Sequence, residues 1–338
     1  MKQYLELIKR VIDTGEWTEN RTGIRTKMLP GAAMAFDLRE GFPAITTKKL
    51  AFKAVIGELC AFMRASTSAA DFRALGCKVW DQNANENKAW LNNPFREGTD
   101  DLGPVYGAQW RNWQAFKQIR GPRHGQTSEL PLYQLLVQQG YKPVGATNSY
   151  HTEHVDGPQF NYTEYTMHKE IDQLGDCVRT IINNPDSRRI LFHGWNPADL
   201  DAVALPACHL LYQFMPNPNT GLLHMNLYIR SNDLGLGAPF NIAEGAVLLS
   251  LIARLTGYTP GVFNYFIGDA HVYENHFDMV HTQLSRAPHA LPTLVINERV
   301  PFGAAAEEAV EWLAKVEPSD FALEGYTHHD PIKAEMAV

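Results

Sequence analysis

Apolar residues recur along the chain at the spacings of amphipathic helices and half-buried strands. Leu5, Ile8 and Ile12 follow the helical period, which predicts a helix over 2–14 that stops at Gly15. Alternation of apolar and polar residues over 222–230 predicts a strand with one apolar face. Similar patterns predict helices over 51–64, 169–183 and 242–256, a further helix at about 129–139, and strands over 33–38, 190–192 and 209–215. The polar stretch 114–170 is the least regular part of the chain.

The composition is ordinary for a globular protein, with 338 residues of which 45% are hydrophobic and 20% are charged. The formal net charge of −7 argues against a broad nucleic-acid surface, which needs excess Lys and Arg. Charges interrupt the apolar pattern near the N-terminus, so we expect no signal peptide, and we find no apolar run long enough to span a bilayer. Four cysteines without a CxxC pair suit a reducing compartment. We therefore expect a cytoplasmic enzyme with no nucleic-acid or membrane partner.

Histidines are the first candidates for a metal site. They occur in two groups, His124, His151, His154 and His168, and His271, His276 and His281. Neither group has the spacing of a standard zinc site, and no cysteine lies among them. We therefore expect no metal.

The strongest candidate chemistry lies in two stretches. Pro-Ala-Cys-His at 206–209 places Cys208 on a turn that enters an apolar strand. The run from 230 to 241 places Arg230, Asp233 and Asn241 around a Gly- and Pro-containing bend before an apolar helix. A cation favours the nucleophilic thiolate, and a side-chain amide can bind a flat polar ring. These residues predict a nucleophilic site for a small planar anion.

Both stretches resemble the thymidylate synthase family, and other blocks of the chain follow in the family's order. These blocks are Asp-Leu-Gly-Pro-Val-Tyr-Gly at 101–107, Pro-Asp-Ser-Arg-Arg at 185–189, Gly-Asp-Ala-His-Val-Tyr at 268–273 and the tail 332–338. The resemblance implies an α/β fold with a twisted mixed sheet and flanking helices, in a homodimer packed through the sheets. It also implies a single catalytic domain over 1–338, with insertions at about 88–99 and 114–170.

The reaction implied by the resemblance is transfer of a one-carbon unit from 5,10-methylenetetrahydrofolate to carbon 5 of dUMP, giving dTMP and dihydrofolate. Cys208 would attack carbon 6 of the ring, and Glu58 would move protons with Tyr106. Burial raises the pKa of a carboxyl group, which suits a proton shuttle near neutral pH. The implied catalytic set is Cys208, Glu58, Arg230, Asp233, Asn241, Tyr106 and His209.

The same resemblance implies the binding residues. The nucleotide would be held by Arg21, Arg188, Arg189, Arg230, Ser231, Asn241, His271 and Tyr273. Of these, Arg188 and Arg189 would reach across the dimer interface into the partner's phosphate site. The folate would be held by Lys48, Trp80, Asn83, Asp233, Gly237 and Val338.

Several positions depart from the usual family pattern and leave the base and the product open. Ile229 stands where the family has Gln, and Glu244-Gly245 stands where it has Ser-Tyr. A carboxylate near the base edge could favour an amino group, so a dCMP methylase or a dUMP or dCMP hydroxymethylase is the alternative. Trp80 favours a methyl product and Asn241 favours uracil, so thymidylate synthesis is the primary hypothesis.

A catalytically silent nucleotide-binding or RNA-binding protein is an alternative from another class. Binding alone does not need a thiol. The joint presence of Cys208, Glu58, Arg230, Asn241 and His271 therefore favours an enzyme.

Overall fold

A computed structural model describes residues 1–122, 131–150 and 161–334 of the chain. The predicted site residue Val338 and the histidines His124, His151 and His154 lie outside these described residues. The chain forms two compact units, a large unit of Met1–Arg111 with Gln173–Val338, and a small unit of Asn112–Asp172.

The described elements alternate between helices and strands. The helices are α1 (Lys2–Thr14), α2 (Phe52–Met63), α3 (Ala69–Ala74), α4 (Asp81–Asn85), α5 (Lys88–Leu91), α6 (Tyr106–Arg111), α7 (Pro131–Gln138), α8 (Gln173–Asn183), α9 (Gly237–Thr256), α10 (Phe277–Ser285) and α11 (Ala306–Lys315). The strands are β1 (Glu16–Thr18), β2 (Thr26–Asp37), β3 (Trp113–Pro122), β4 (Lys142–Tyr150), β5 (Asn161–Ile171), β6 (Leu191–His193), β7 (His209–Asn217), β8 (Leu222–Asp233), β9 (Thr259–Tyr273), β10 (Thr293–Ile296) and β11 (Phe321–Glu324).

The large unit is built on a twisted six-stranded sheet in the order β1-β2-β9-β8-β7-β6. Strands β8 and β9 pair in parallel, and the other neighbouring pairs run antiparallel, so the sheet is mixed. Strand β8 buries the apolar face that alternation predicted, formed by Leu223, Met225, Leu227 and Ile229. The predicted α/β fold with a mixed sheet and flanking helices is confirmed.

Helix α9 is the buried centre of the large unit and packs against α2, β8 and β9. Gly245 allows this close approach, because a Cβ there would lie 2.5 Å from Cζ of the Phe263 ring. Phe263 therefore fills the space beside the position where the family pattern has a tyrosine. By length and composition α9 could cross a membrane, contrary to the expectation that no apolar run is long enough, but 83% of its most apolar stretch is buried in the fold. Burial in a protein core accounts for that composition.

The start of α9 corrects the prediction of a helix over 242–256. The helix begins at Gly237, because Pro239 lies in the first turn, where a backbone N–H has no intrahelical partner to lose. Asn241 was predicted to cap the helix, but it lies inside α9, one turn after the helix begins. Its side chain is therefore carried on a rigid element.

Other boundaries also differ from the predictions. The helix predicted over 169–183 begins at Gln173, because residues 169–171 pair with β3 as the end of strand β5. The strand predicted over 33–38 extends from Thr26, where β2 pairs with β9. Arg188 and Arg189 were predicted to open a strand, but they precede β6, which begins at Leu191.

The small unit contains a three-stranded antiparallel sheet in the order β3-β5-β4, together with α7. Helix α7 confirms the helix predicted at about 129–139. A small core of Ile119, Leu136, Tyr141 and Met167 holds this unit together.

Candidate active site

Cys208 is half-buried on the turn that leads into β7, and hydrogen bonds from neighbouring elements hold the backbone around it. The Cys208 N–H donates to the Tyr106 hydroxyl oxygen at 2.7 Å. Arg230, on the neighbouring strand β8, donates its backbone N–H to the Cys208 carbonyl at 3.0 Å. The Arg230 guanidinium donates to the carbonyls of Ala207 and Pro206 at 2.9 and 3.1 Å. The thiol, the phenol and the cation predicted from sequence therefore meet at one turn.

Glu58 is buried on α2, with 6% of its surface exposed. Its Oε1 accepts the Trp80 indole N–H at 2.6 Å. Burial raises the pKa of the Glu58 carboxyl to about 7, although hydrogen bonds from Trp80 and Glu244 act to lower it. A carboxyl group that titrates near neutral pH can both take and give a proton.

Asn241 belongs to a chain of buried hydrogen bonds. Its Nδ2–H donates to His209 Nε2 at 2.6 Å, and its Oδ1 accepts from Asn232 Nδ2 at 3.1 Å. The Tyr265 hydroxyl donates to Asn232 Oδ1 at 2.6 Å, which fixes the orientation of that amide. Burial lowers the pKa of His209 to about 3, so the ring is neutral. With Nε2 accepting, Nδ1 carries the proton and donates to the Tyr212 hydroxyl at 2.8 Å.

Asp233 ends β8 and binds the turn that leads to Gly237. Its Oδ1 accepts the Gly235 N–H at 2.8 Å, and His276 Nδ1 lies 3.5 Å from the same oxygen. Burial acts to raise the pKa of Asp233, but the hydrogen bond and charge of His276, the charge of His271 and the Gly235 N–H together lower it. Buried Lys48 donates to the Gly235 carbonyl at 2.7 Å, and burial lowers the pKa of its ammonium group to about 8.

A second polar group lies on the paired strands β8 and β9. Asp269 accepts from the Ser231 hydroxyl at 3.3 Å, and its other oxygen lies 3.2 Å from His271 Nδ1. The rings of His271 and Tyr273 meet edge to face at 5.1 Å. Burial raises the pKa of Tyr273, and the positive charge of Arg21 partly opposes that effect. Ser231, His271 and Tyr273 are therefore neighbours, with Arg21 on a nearby exposed turn.

Some predicted site residues stand apart from these clusters. Arg188 and Arg189 are exposed in the loop before β6, and Asn83 is half-buried in α4. The described parts of the chain contain no group of three His, Cys, Asp or Glu side chains that could hold a metal ion.

Several residues of the site were not singled out from sequence. Asn232 and Tyr265 hold the Asn241 amide, and Asp269 joins Ser231 to His271. The Trp195 ring lies under the Arg230 guanidinium, with its centroid 5.6 Å from Cζ. Two of these residues stand in stretches that the sequence had marked: Asn232 lies inside the run 230–241, and Asp269 lies in the block 268–273.

A thiol on a fixed turn, a buried carboxyl group that titrates near neutral pH and an oriented amide are the features of an enzyme with a cysteine nucleophile.

Comparison with known proteins identifies the family within this class of enzymes. Residues 2–338 match the family described as "Thymidylate synthase". Relatives named thymidylate synthase are 56% identical in Pseudomonas syringae pv. tomato, 55% in Bordetella parapertussis and 57% in Pseudomonas putida, each over 100% of both chains.

The protein belongs to the thymidylate synthase family. It is a one-carbon methyltransferase whose reaction is the methylation of dUMP with 5,10-methylenetetrahydrofolate as co-substrate. The comparisons support this reaction over the hydroxymethyl-forming alternative.

Proposed function

We propose that dUMP methylation proceeds here through a covalent bond between Cys208 and carbon 6 of the uracil ring. The observation that carries the proposal is the 206–208 turn, where Tyr106 and Arg230 hold the backbone on both sides of the thiol. Addition of a thiolate at carbon 6 turns the ring into an enolate whose carbon 5 is nucleophilic. Glu58, with a pKa of about 7, takes the proton that leaves carbon 5.

The Asn241 amide reads the base. Asn232 uses one lone pair of Oδ1, and His209 uses one hydrogen of Nδ2, so each amide atom keeps a second position for the ligand. In this orientation Oδ1 accepts from N3–H of uracil and Nδ2 donates to O4. A reversed amide would suit cytosine, and the bonds to Asn232 and His209 oppose that reversal.

We assign binding of the sugar and the phosphate to the polar groups on β8 and β9 and to two arginines. We assign the sugar hydroxyl to His271 and Tyr273, with Ser231 beside them. The phosphate is bound by the guanidinium groups of Arg21 and Arg230, because a planar fork of N–H donors matches phosphate oxygens.

The residues assigned to the folate fit its chemistry. Bound 5,10-methylenetetrahydrofolate supplies the one-carbon unit and the hydride that completes the methyl group. Asp233 is an ionised acceptor suited to the N–H groups of a pterin ring, because His276, His271 and the Gly235 N–H together keep its pKa low. Lys48 holds the turn before Gly237 through the Gly235 carbonyl. Trp80 links this side of the site to Glu58. Asn83, Gly237 and Val338 are assigned to the folate from the resemblance alone.

A homodimer packed through the sheets would bring Arg188 and Arg189 of the partner subunit to the phosphate. The support comes from the sheet face opposite α9. Tyr228 and Phe266 are paired across β8 and β9 and are 43% and 38% exposed, and Leu191 on β6 is 39% exposed. An apolar face of this kind on an otherwise buried sheet is typical of a subunit interface.

We also propose that the small unit is an insertion in a single catalytic domain, and that the enzyme works in the cytoplasm. The family match over 2–338 supports the single domain, and four cysteines without a CxxC pair suit a reducing compartment. The net charge of −7 is consistent with small-molecule partners and argues against a broad nucleic-acid surface.

Product mass spectrometry tests the function. The enzyme is incubated with 5,10-methylenetetrahydrofolate and either dUMP or dCMP. We expect a methyl mass gain on dUMP, dihydrofolate in equal amount, and no product from dCMP. A hydroxymethyl mass gain, or reaction with dCMP alone, would refute the proposal.

A further inference from the structure

Glu244 is a buried carboxyl group that the proposed mechanism does not use. It lies on α9 with 1% of its surface exposed. Its Oε2 is 3.6 Å from His209 Nδ1, which is too long for a hydrogen bond. No described group donates a hydrogen bond to either Glu244 oxygen. The polar group that interacts with Glu244 is the buried carboxyl group of Glu58, which by itself has no hydrogen to donate when ionised. An ionised carboxylate without a donor would be very costly in this position.

The surroundings of the two glutamates contain no compensating cation among the described groups that face them. These groups are Cys77, Trp80, Tyr106, His209, Tyr212 and Tyr265. Burial raises the pKa of the thiol and the phenols and lowers that of the imidazole, so all of them are neutral near pH 7. Nothing in this set would stabilise two negative charges.

Two carboxyl groups can hydrogen-bond to each other only if one of them holds a proton. The Trp80 N–H donates to Glu58 and favours its ionised form, whereas no donor favours an ionised Glu244. The proton therefore belongs on Glu244. The pKa values agree, because burial raises that of Glu58 to about 7 and that of Glu244 well above its ordinary range.

We propose that Glu244 is a positioning residue that stays protonated in the resting enzyme and donates its hydrogen to the Glu58 carboxylate. The inference rests on the proposed function of Glu58 as the group that takes the proton from carbon 5. The donated hydrogen bond stabilises ionised Glu58 and so counteracts the effect of burial. Glu58 can then act as a base near neutral pH inside an apolar site.

The pH dependence of kcat/KM for dUMP separates the donor from a merely structural side chain. Glu244→Leu removes the donor, whereas Glu244→Gln keeps an N–H donor of similar size. We expect the acid limb of the profile to move up by about one pH unit in the Leu variant and to stay in place in the Gln variant. Asp320→Asn, which changes another buried carboxyl group far along the chain, serves as the control and should leave the profile unmoved.

The opposite results overturn the inference. An acid limb that does not move in Glu244→Leu means that Glu244 donates nothing to Glu58. A limb that moves down means that Glu244 is ionised and repels the charge on Glu58.

Infrared spectroscopy gives a readout that needs neither activity nor the Leu variant. At about pH 8, above the pKa of about 7 of Glu58, the wild type should show the C=O stretch of one protonated carboxyl group that Glu244→Gln lacks. Persistence of that band in the Gln variant would place the proton elsewhere and overturn the inference.

Glu58→Gln separates this inference from the proposed function. Wild-type turnover by Glu58→Gln would remove Glu58 from the mechanism. An inactive Glu58→Gln together with an unmoved profile in Glu244→Leu would leave that mechanism in place and reject only the role of Glu244.

Discussion

His209 illustrates, at the scale of single residues, how burial sets a protonation state that the site then uses. The ring is 3% exposed and neutral, so its Nε2 can accept the Asn241 N–H. A protonated ring would donate at that atom and favour the reversed amide. The protonation state of one side chain is thereby coupled to the orientation of the group that we assign to the base.

The neutral state of His209 makes the fold sensitive to acid. Its pKa is about 3 in the folded protein against an ordinary 6.5, so the unfolded chain binds one more proton between these values. The free energy of unfolding therefore falls as the pH drops from 6.5 toward 3, by up to about 1.4 kcal/mol per pH unit from this residue. Urea denaturation at several pH values in this range measures the free energy of unfolding. We expect that free energy to change less steeply with pH in His209→Gln than in the wild type. Exposed His281→Gln is the control, and equal slopes for the wild type and His209→Gln would contradict a buried neutral ring.

Asn241→Asp tests the reading of the base. A carboxylate can only accept hydrogen bonds, so the variant would accept from the amino group of cytosine and could no longer donate to O4 of uracil. We expect kcat/KM for dUMP to fall at least ~10-fold and the ratio of dCMP to dUMP activity to rise. Steady-state kinetics with both nucleotides measures this ratio. An unchanged preference for dUMP in a correctly folded variant would mean that Asn241 does not read the base.

At the scale of elements, the site depends on the close approach of α2 and α6. Gly107 makes it possible, because a Cβ there would lie 2.3 Å from the Phe62 carbonyl oxygen. Glu58 and Tyr106 sit on these two helices, so their separation also positions the groups that we assign to proton transfer.

Gly107→Ala should therefore destabilise the protein by about 1–3 kcal/mol, the usual cost of overpacking a core. Thermal unfolding measures the loss. Gly145→Ala is the matched control, since a Cβ at that position has its nearest neighbour at 4.0 Å. Equal melting temperatures for the two variants would show that the helices can separate without cost.

Periodicity predicted the elements whose burial pattern is regular, such as α1 and β8. It missed the early start of α9, because Gly237 and Pro239 are helix breakers in most contexts but are tolerated in a first turn. It also missed β3, β4 and the strand identity of 169–171, because their pairing partners lie far apart in a polar stretch. Strand pairing of this kind depends on tertiary context more than on local preference.

The candidate site also has a part that the sequence predicted and a part that it did not. Cys208, Arg230 and Asn241 were found from sequence because they stand in short, chemically distinctive runs. The bond from Tyr265 to Asn232, and the bond that we propose from Glu244 to Glu58, join elements that no local pattern connects. Sequence identified the groups to which we assign the chemistry, whereas only the fold revealed the neighbours that orient them and shift their pKa values.

At the scale of the whole molecule, the sheet face that carries Tyr228, Phe266 and Leu191 is the one that we propose as the dimer interface. Tyr228→Lys would place a charge at the centre of the face that we assign to the dimer interface, where it would have to lose its hydration. We expect the variant to sediment as a monomer and to lose activity on dilution, because Arg188 and Arg189 of the partner subunit would be absent. Phe302→Lys, at an aromatic residue that is 64% exposed elsewhere, is the control. A dimeric Tyr228→Lys would contradict this interface.

The most direct test of the account is to find the nucleotide on Cys208. The enzyme is denatured during turnover with dUMP and 5,10-methylenetetrahydrofolate, digested, and analysed by mass spectrometry. We predict a peptide that carries the nucleotide on Cys208, no such peptide and no turnover in Cys208→Ser, and normal behaviour in the control Cys177→Ala. Turnover by Cys208→Ser at the wild-type rate, or nucleotide attached to another residue, would contradict the central claim.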